Sequence, residues 1–293
     1  MTLAVWWLTC LIWSSVFLFI KLGLRDLPPV TFAAVRLAVA VAIFLPILRL
    51  RGVPLPRRAA DWSVIFVAGL LLLGVNYALL FWGAQYIPSG LAAVLQAVTP
   101  AFALVFGHYL LPDEPFSLKA LGAIALGIAG VAVISADQLH VAGRTALLGS
   151  LAVTGGAACV GFAYVYVKAH GARRMRPEVL SCGQMICAAG PMLLFATLRE
   201  GNPIAQNWTP LAIGCVLYLA IAGSVGATWL NYWLLERMSA TAVLSMALVE
   251  PLIAVLLGAA FLGERITPGA ATGGALVLCS IFMITISFQR RRP

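Results

Sequence analysis

Glu250 stands directly before Pro251 in the run Met246 to Leu262, which is otherwise wholly apolar. A carboxylate in such a setting is costly to keep in hydrocarbon, so it faces protein or water and meets an ammonium group, carries a proton, or makes a structural hydrogen bond or ion pair. Pro100 is preceded in a comparable way by Gln96 and Thr99, which lie three apart and therefore share a helix face. A proline has no N–H, so Pro100 and Pro251 free the carbonyls of Gln96 and Ala247 as acceptors. The alternative is that both prolines act only as structural kinks. Arg36 is the sole cation in the middle of an apolar run; it could pair with Glu250, attract a carboxylate or serve packing alone. Trp13 and Phe17 are one turn apart with Ser14 beside them, a start for an aromatic wall suited to apolar groups. Plain helix packing is the competing role for each aromatic residue.

Other chemistries find little support. The six cysteines lie in apolar stretches with no C-x-x-C pair, and His108, His140 and His170 are far apart, so neither a zinc site nor a disulfide framework is expected. No His-Glu-x-x-His, Ser/His pair or pair of membrane carboxylates points to an intramembrane enzyme or flippase. No filter-like glycine motif or ring of like charge points to a channel. No cofactor is called for.

The elements that must position these residues follow from composition. Of 293 residues 62% are hydrophobic and 10% charged, and the mean hydropathy is +1.00, far from a soluble domain with about a quarter of its residues charged. Cutting at charges and Pro/Gly turns leaves ten apolar segments, 3–23, 30–49, 62–83, 89–111, 117–136, 146–168, 178–198, 210–235, 239–262 and 268–288. Each is near the roughly 20 residues that span a bilayer as a helix. The first has no basic residue ahead of it and is longer than a signal-peptide core, so it reads as a retained helix. The fold class expected is an all-α integral membrane protein of ten transmembrane helices.

The net charge of +9 carries its meaning in its distribution. With the N-terminus in the cytoplasm, 13 Lys and Arg fall on the inner side and five on the outer, with Arg36 left inside its segment. Positive-inside bias therefore places both termini in the cytoplasm, and membrane lipid rather than nucleic acid is the expected surroundings.

The chain also repeats. Lys21 matches Lys168, Pro29 matches Pro177, Trp82 matches Trp233 and Pro100 matches Pro251, with offsets of 147, 148, 151 and 151. In this register Ser14 falls on Gly161, Phe17 on Tyr164 and Tyr77 on Thr228, with Asn76 and Asn231 nearby. The units are 1–137 and 144–293. Five helices is an odd number, so the second unit crosses the membrane in the opposite sense, the inverted-repeat plan by which many secondary transporters alternate access to a midplane site.

The run Gly83-Ala-Gln-Tyr86-Ile-Pro-Ser-Gly-Leu-Ala-Ala-Val-Leu-Gln96-Ala-Val-Thr-Pro100, followed by Asp113-Glu114 and glycines 122, 127 and 130, resembles the EamA domain of the drug/metabolite transporter superfamily. A second copy runs Met238-Ser-Ala-Thr-Ala-Val-Leu-Ser-Met-Ala-Leu-Val-Glu250-Pro251, then Gly263-Glu264 and glycines 269, 273 and 274. Trp13-Ser14-Ser15 and the chain length are similar to the branch that exports aromatic and neutral amino acids. The resemblance implies a multi-pass protein of the bacterial inner membrane that exports amino acids and related metabolites. Its cavity would be lined by helices 1, 3, 4, 6, 8 and 9, with proton coupling through Glu250 open. On these helices, residue type and repeat register single out Trp13, Ser14, Phe17, Asn76, Tyr77, Gln96, Thr99, Gly161, Tyr164, Thr228, Asn231 and Glu250 as candidates for substrate contact, and the resemblance implies a peripheral place for Arg36 on helix 2. Thr99 and Gly161 make smaller walls and favour a broad amino-acid range. Efflux of cationic drugs and transport of nucleotide sugars are the alternatives within the superfamily. Gly269 and Gly273 allow close helix approach, within a monomer or in a weak dimer.

Overall fold

The computed structural model describes residues 1–111, 118–170, 175–238, 243 and 246–289, and no strand occurs among them. Asp113, Glu114, Arg173, Arg174, 239–242 and the tail arginines 290–292 lie outside the described residues. The helices are α1 (Thr2–Gly23), α2 (Pro29–Leu50), α3 (Ala59–Ala84), α4 (Ser89–Leu110), α5 (118–142), α6 (144–170), α7 (Pro177–Glu200), α8 (Pro210–Leu235), α9 (Met246–Leu262) and α10 (Pro268–Gln289). Pro29, Pro177 and Pro210 each open a helix, where the missing N–H costs nothing and the fixed φ suits the first turn.

Eight of the described helices are long and apolar enough to cross a membrane, with α5 and α6 counted as one and the shorter apolar α9 left aside. Unbroken, the 53 residues of Leu118–His170 would extend about 80 Å at about 1.5 Å per residue, far more than the roughly 30 Å of hydrocarbon. The break falls at Gly143, where φ is 79° and ψ −169°, a conformation that glycine adopts freely. The loop expected between 137 and 144 is instead helical as far as residue 142. Its polar residues look like a linker, yet Ala136 to Ala142 contain neither Gly nor Pro, so nothing stops the helix before Gly143.

The main core joins Phe32, Leu37 and Phe44 of α2 to Phe81 of α3, Leu95 of α4 and Ile134 of α5. A satellite core seats Trp6 and Cys10 of α1 against Leu234 of α8 and Met246 of α9. Glycine lets helices approach closely: a side chain at Gly130 or Gly273 would strike the carbonyl oxygen of the other at 2.6 Å, so α5 and α10 pack backbone to backbone. A side chain at Gly269 would strike Asp137. Both glycines of the α10 motif are thus used within the chain, consistent with packing by small residues where water provides no drive.

Two helices contain π-helical turns, Leu70–Val75 in α3 and Leu219–Gly226 in α8. With the offset of 151 read from the tryptophan and proline pairs, residues 70–75 fall on 221–226, so the two irregularities occupy matched positions. Such turns are rare and cluster at functional places.

Candidate functional site

The matched prolines behave differently. Pro100 interrupts α4, whose α-helical pieces Ser89–Gln96 and Thr99–Leu110 are separated by a turn, whereas Pro251 lies inside the unbroken α9. The carbonyl of Gln96 is not an open acceptor, because Thr99 Oγ1 donates to it at 2.7 Å. The Gln96 side chain instead crosses to neighbouring helices. Its Nε2 donates to Asn76 Oδ1 of α3 at 2.9 Å and to the Val153 carbonyl of α6 at 3.1 Å. Asn76 Nδ2 in turn donates to Leu72 O at 3.2 Å, in the π turn. A side chain at Gly156 would meet Asn76 Oδ1 at 2.5 Å, so glycine there makes room for this amide pair. Asn76 and Gln96 are brought together and bind α3, α4 and α6 into one polar knot.

Gly161 sits where α6 crosses α4. A side chain there would reach Ala103 N at 2.9 Å, Phe102 Cβ at 3.0 Å and Thr99 O at 3.1 Å. It meets Thr99 as a contact between helices rather than as open wall. Its repeat partner Ser14 is fully buried and donates to Cys10 O at 2.6 Å, so its hydroxyl is turned onto its own helix. Trp13 packs at the edge of the satellite core and Phe17 against the main core. Tyr164 is 59% exposed, which separates it from Phe17 in environment. Thr228 and Asn231 are half-buried on α8.

Arg36 is 2% exposed and does not reach Glu250. Its Nε and Nη2 donate to Ser224 Oγ at 3.4 and 3.2 Å, and its guanidinium lies 4.7 Å from the centre of the Tyr77 ring. The Ser224 hydroxyl itself donates to Leu219 O at 3.0 Å, five residues back, in register with the π turn. Tyr77 and Arg36 therefore tie α2 and α3 to the π turn of α8, and the guanidinium is stabilised by a ring face and a hydroxyl. Beside it α1 meets α8 through Ser15 Oγ and Tyr218 Oη at 2.6 Å, and Phe19 stacks on Tyr218 at 3.9 Å.

Glu250 lies half-buried on α9, within electrostatic reach of Cys10 on α1. Among the described residues its carboxylate has no hydrogen bond or ion pair. Asp26, Asp137, Glu200 and Glu264, by contrast, each accept a hydrogen bond from another part of the chain.

Sequence reasoning missed a set of ties at one end of the bundle. Glu200, ending α7, accepts the N–H groups of Val30 and Thr31 at 3.0 and 2.6 Å and the Thr31 hydroxyl at 2.7 Å, capping α2. Glu264, after α9, accepts Ser89 N at 2.7 Å, Ser89 Oγ at 2.9 Å and Gly90 N at 3.3 Å, capping α4. Thr209, which caps α8, donates to Asp26, and Thr267, which caps α10, donates to Asp137. Lys21 Nζ donates to Ala84 O, Gln85 O and Ile87 O at 2.6, 3.0 and 2.8 Å, closing the C-terminus of α3. Anions at helix N-termini and a cation at a C-terminus complement the helix dipoles. The available signal was the placement of Asp26, Glu200 and Glu264 in short turns between apolar segments.

At the opposite, arginine-rich end, a cavity of about 550 Å³ opens between α2, α7 and α8, and Arg51, Arg176, Glu178, Trp229, Trp233 and Glu236 are among its walls. Arg176 pairs with Glu178 at 2.8 Å, and the Arg51 guanidinium lies 3.7 Å from the centre of the Trp229 ring.

The family model for EamA-like transporters matches the chain twice, over residues 2–136 and 147–286. The uncharacterized transporter YoaV of Bacillus subtilis is 29% identical over 286 residues, covering 96% of both chains. The uncharacterized inner membrane transporter YedA of Escherichia coli is 29% identical over 278 residues, covering 94% of this chain and 88% of its own. A protein of Salmonella typhimurium named "Probable amino-acid metabolite efflux pump" is 28% identical over 298 residues, covering 97% of this chain and 95% of its own. A solved crystal structure shares the fold, with a TM-score of 0.67 at 20% identity over 100% of this chain and 99% of its own.

Proposed function

The chain belongs to the EamA-like transporter family, and on that premise we propose that it exports amino acids and related small metabolites across a bacterial inner membrane by alternating access. The observation that carries this reading is Glu250, a carboxylate in an apolar helix that no described residue pairs. An ammonium group or a coupling proton is the natural complement of such a group. The name of the Salmonella relative supports amino acids as cargo.

The reading includes ten spans, α1 to α10, with α5 and α6 crossing separately on either side of Gly143 and α9 belonging to the ninth apolar segment, 239–262. Residues 1–137 and 144–293 form two inverted repeats, supported by the double family match and by the matched π turns of α3 and α8. Both termini lie in the cytoplasm, so the arginine-rich end is the inner one and the capped end the outer one. In this conformation the ties close the outer end, and the cavity opens inward. Trp13, Phe17, Tyr77, Thr99, Thr228 and Asn231 surround the path, while Ser14, Gly161 and the Asn76–Gln96 pair set its helix spacing.

The test is efflux from proteoliposomes across an amino-acid panel, with Glu250→Gln beside the unaltered chain. Saturable flux for at least one amino acid, reduced tenfold or more by the substitution, is expected. Absence of saturable flux for every member overturns the reading, and a pH profile left unchanged by Glu250→Gln removes the proton-carrying role.

A further inference from the structure

The cavity at the arginine-rich end has walls of unusual chemistry. On α2, Phe44, Leu48 and Arg51 recur at one-turn spacing and present one face to it. On α8, Trp229 and Trp233 are likewise one turn apart, and Glu236 follows at the mouth. The two helices are pinned by Arg36 and Ser224 deeper in the bundle and leave about 550 Å³ between their ends, within the roughly 300–1,000 Å³ range of small-molecule sites.

Its polar side-chain groups are four charges and the indole N–H groups of two tryptophans. Two arginines and two glutamates line it, and none of the lining residues carries a hydroxyl or carboxamide. Arg51 has no carboxylate within ion-pair distance among the described residues. Its guanidinium carbon lies over the Trp229 ring, and a guanidinium fork with no carboxylate partner can receive one in a two-point grip. Glu178 and Glu236 offer the opposite sign at the rim, each with one arginine neighbour already at 2.8 and 3.0 Å. Each carboxylate keeps acceptor capacity beyond its one arginine, so a ligand with one ammonium group and one carboxylate meets a group of opposite sign for each.

We propose that this cavity is a loading site, distinct from Glu250, for a zwitterion with a large apolar side chain. Its carboxylate lies on Arg51, its ammonium group faces Glu178 and Glu236, and its side chain rests on Trp229 and Trp233. The assignment rests on the export reading for direction, not for binding. A loading site of this kind governs how much substrate is needed rather than how fast a loaded carrier turns over.

The experiment uses the full chain in lipid nanodiscs, with L-phenylalanine as probe beside phenethylamine and 3-phenylpropionate, each lacking one charge. Phenylalanine is expected to change the part of the fluorescence that Trp229→Phe abolishes, and both single-charge analogues to act at least tenfold more weakly. In proteoliposomes Arg51→Gln is expected to raise the KM for phenylalanine efflux about tenfold with kcat within twofold. Arg51→Lys, which keeps charge and loses the fork, is expected to raise it about threefold and guards against misfolding of the first variant. Normal flux with an unaltered KM in both variants overturns the site and leaves the export reading standing. Trp229-dependent binding without flux for any amino acid overturns export and leaves the site. A Trp229 signal that answers to phosphatidylethanolamine and not to phenylalanine overturns the proposal in favour of a lipid site.

Discussion

At the capped end, Asp26, Asp137, Glu200 and Glu264 all reach onto a backbone or hydroxyl of another helix. At the arginine-rich end, by contrast, Glu178 and Glu236 pair only with arginines two residues away or adjacent in the chain. The first kind of contact joins helices that are distant in sequence and shields the charge among backbone dipoles. The second is local and solvated, the sort of ion pair worth between nothing and about 1 kcal/mol. The difference teaches where charge holds helices together: carboxylates tie helices to one another at one end, and at the other the glutamates stay with neighbours in the chain and keep capacity for a ligand.

The largest expected effect comes from Lys21→Met, which leaves the carbonyls of Ala84, Gln85 and Ile87 without their donor. A loss of about 3 kcal/mol is expected from charged hydrogen bonds of this kind, measured by denaturant or thermal unfolding in detergent. A loss under about 1 kcal/mol breaks the view that the capped end is tightly held. Next, Glu264→Gln keeps one acceptor and removes the charge at the α4 N-terminus, for which about 1 kcal/mol is expected. Cysteine accessibility sharpens the comparison further: a cysteine placed at Tyr86, already 39% exposed, reacts no faster in the Glu264→Gln background if that tie has no part in closure. The smallest effect belongs to Glu178→Gln. Its partner Arg176 is 64% exposed, and a change below about 0.5 kcal/mol is expected; a loss matching that of Glu264→Gln would erase the contrast between the ends.

Helix positions were legible because lipid demands length and apolarity from every span, and 210–235 coincides with α8. The stretch 138–143 misled because polarity does not end a helix that has neither Gly nor Pro. At the site, Gln96 and Thr99 share a helix face by their spacing, and Thr99 donates to the Gln96 carbonyl, a contact that spacing cannot distinguish from two groups facing a cavity. Ser14 and Gly161 matched in register and both proved to serve packing, since a small residue suits a cavity wall and a helix crossing equally well. The π turns left no trace in apolar periodicity. They change which residues face inward by a fraction of a turn, and the backbone of α3 and α8 shows them directly.

The four carboxylate ties at the capped end share one more property: each joins a residue made before Gly143 to one made after it. A ribosome therefore delivers α2 and α4 with bare N-termini, and Asp26 and Asp137 without their threonines. The early helices gain these partners only once the later ones have been made, so the capped end is assembled by the second half of the chain closing onto the first.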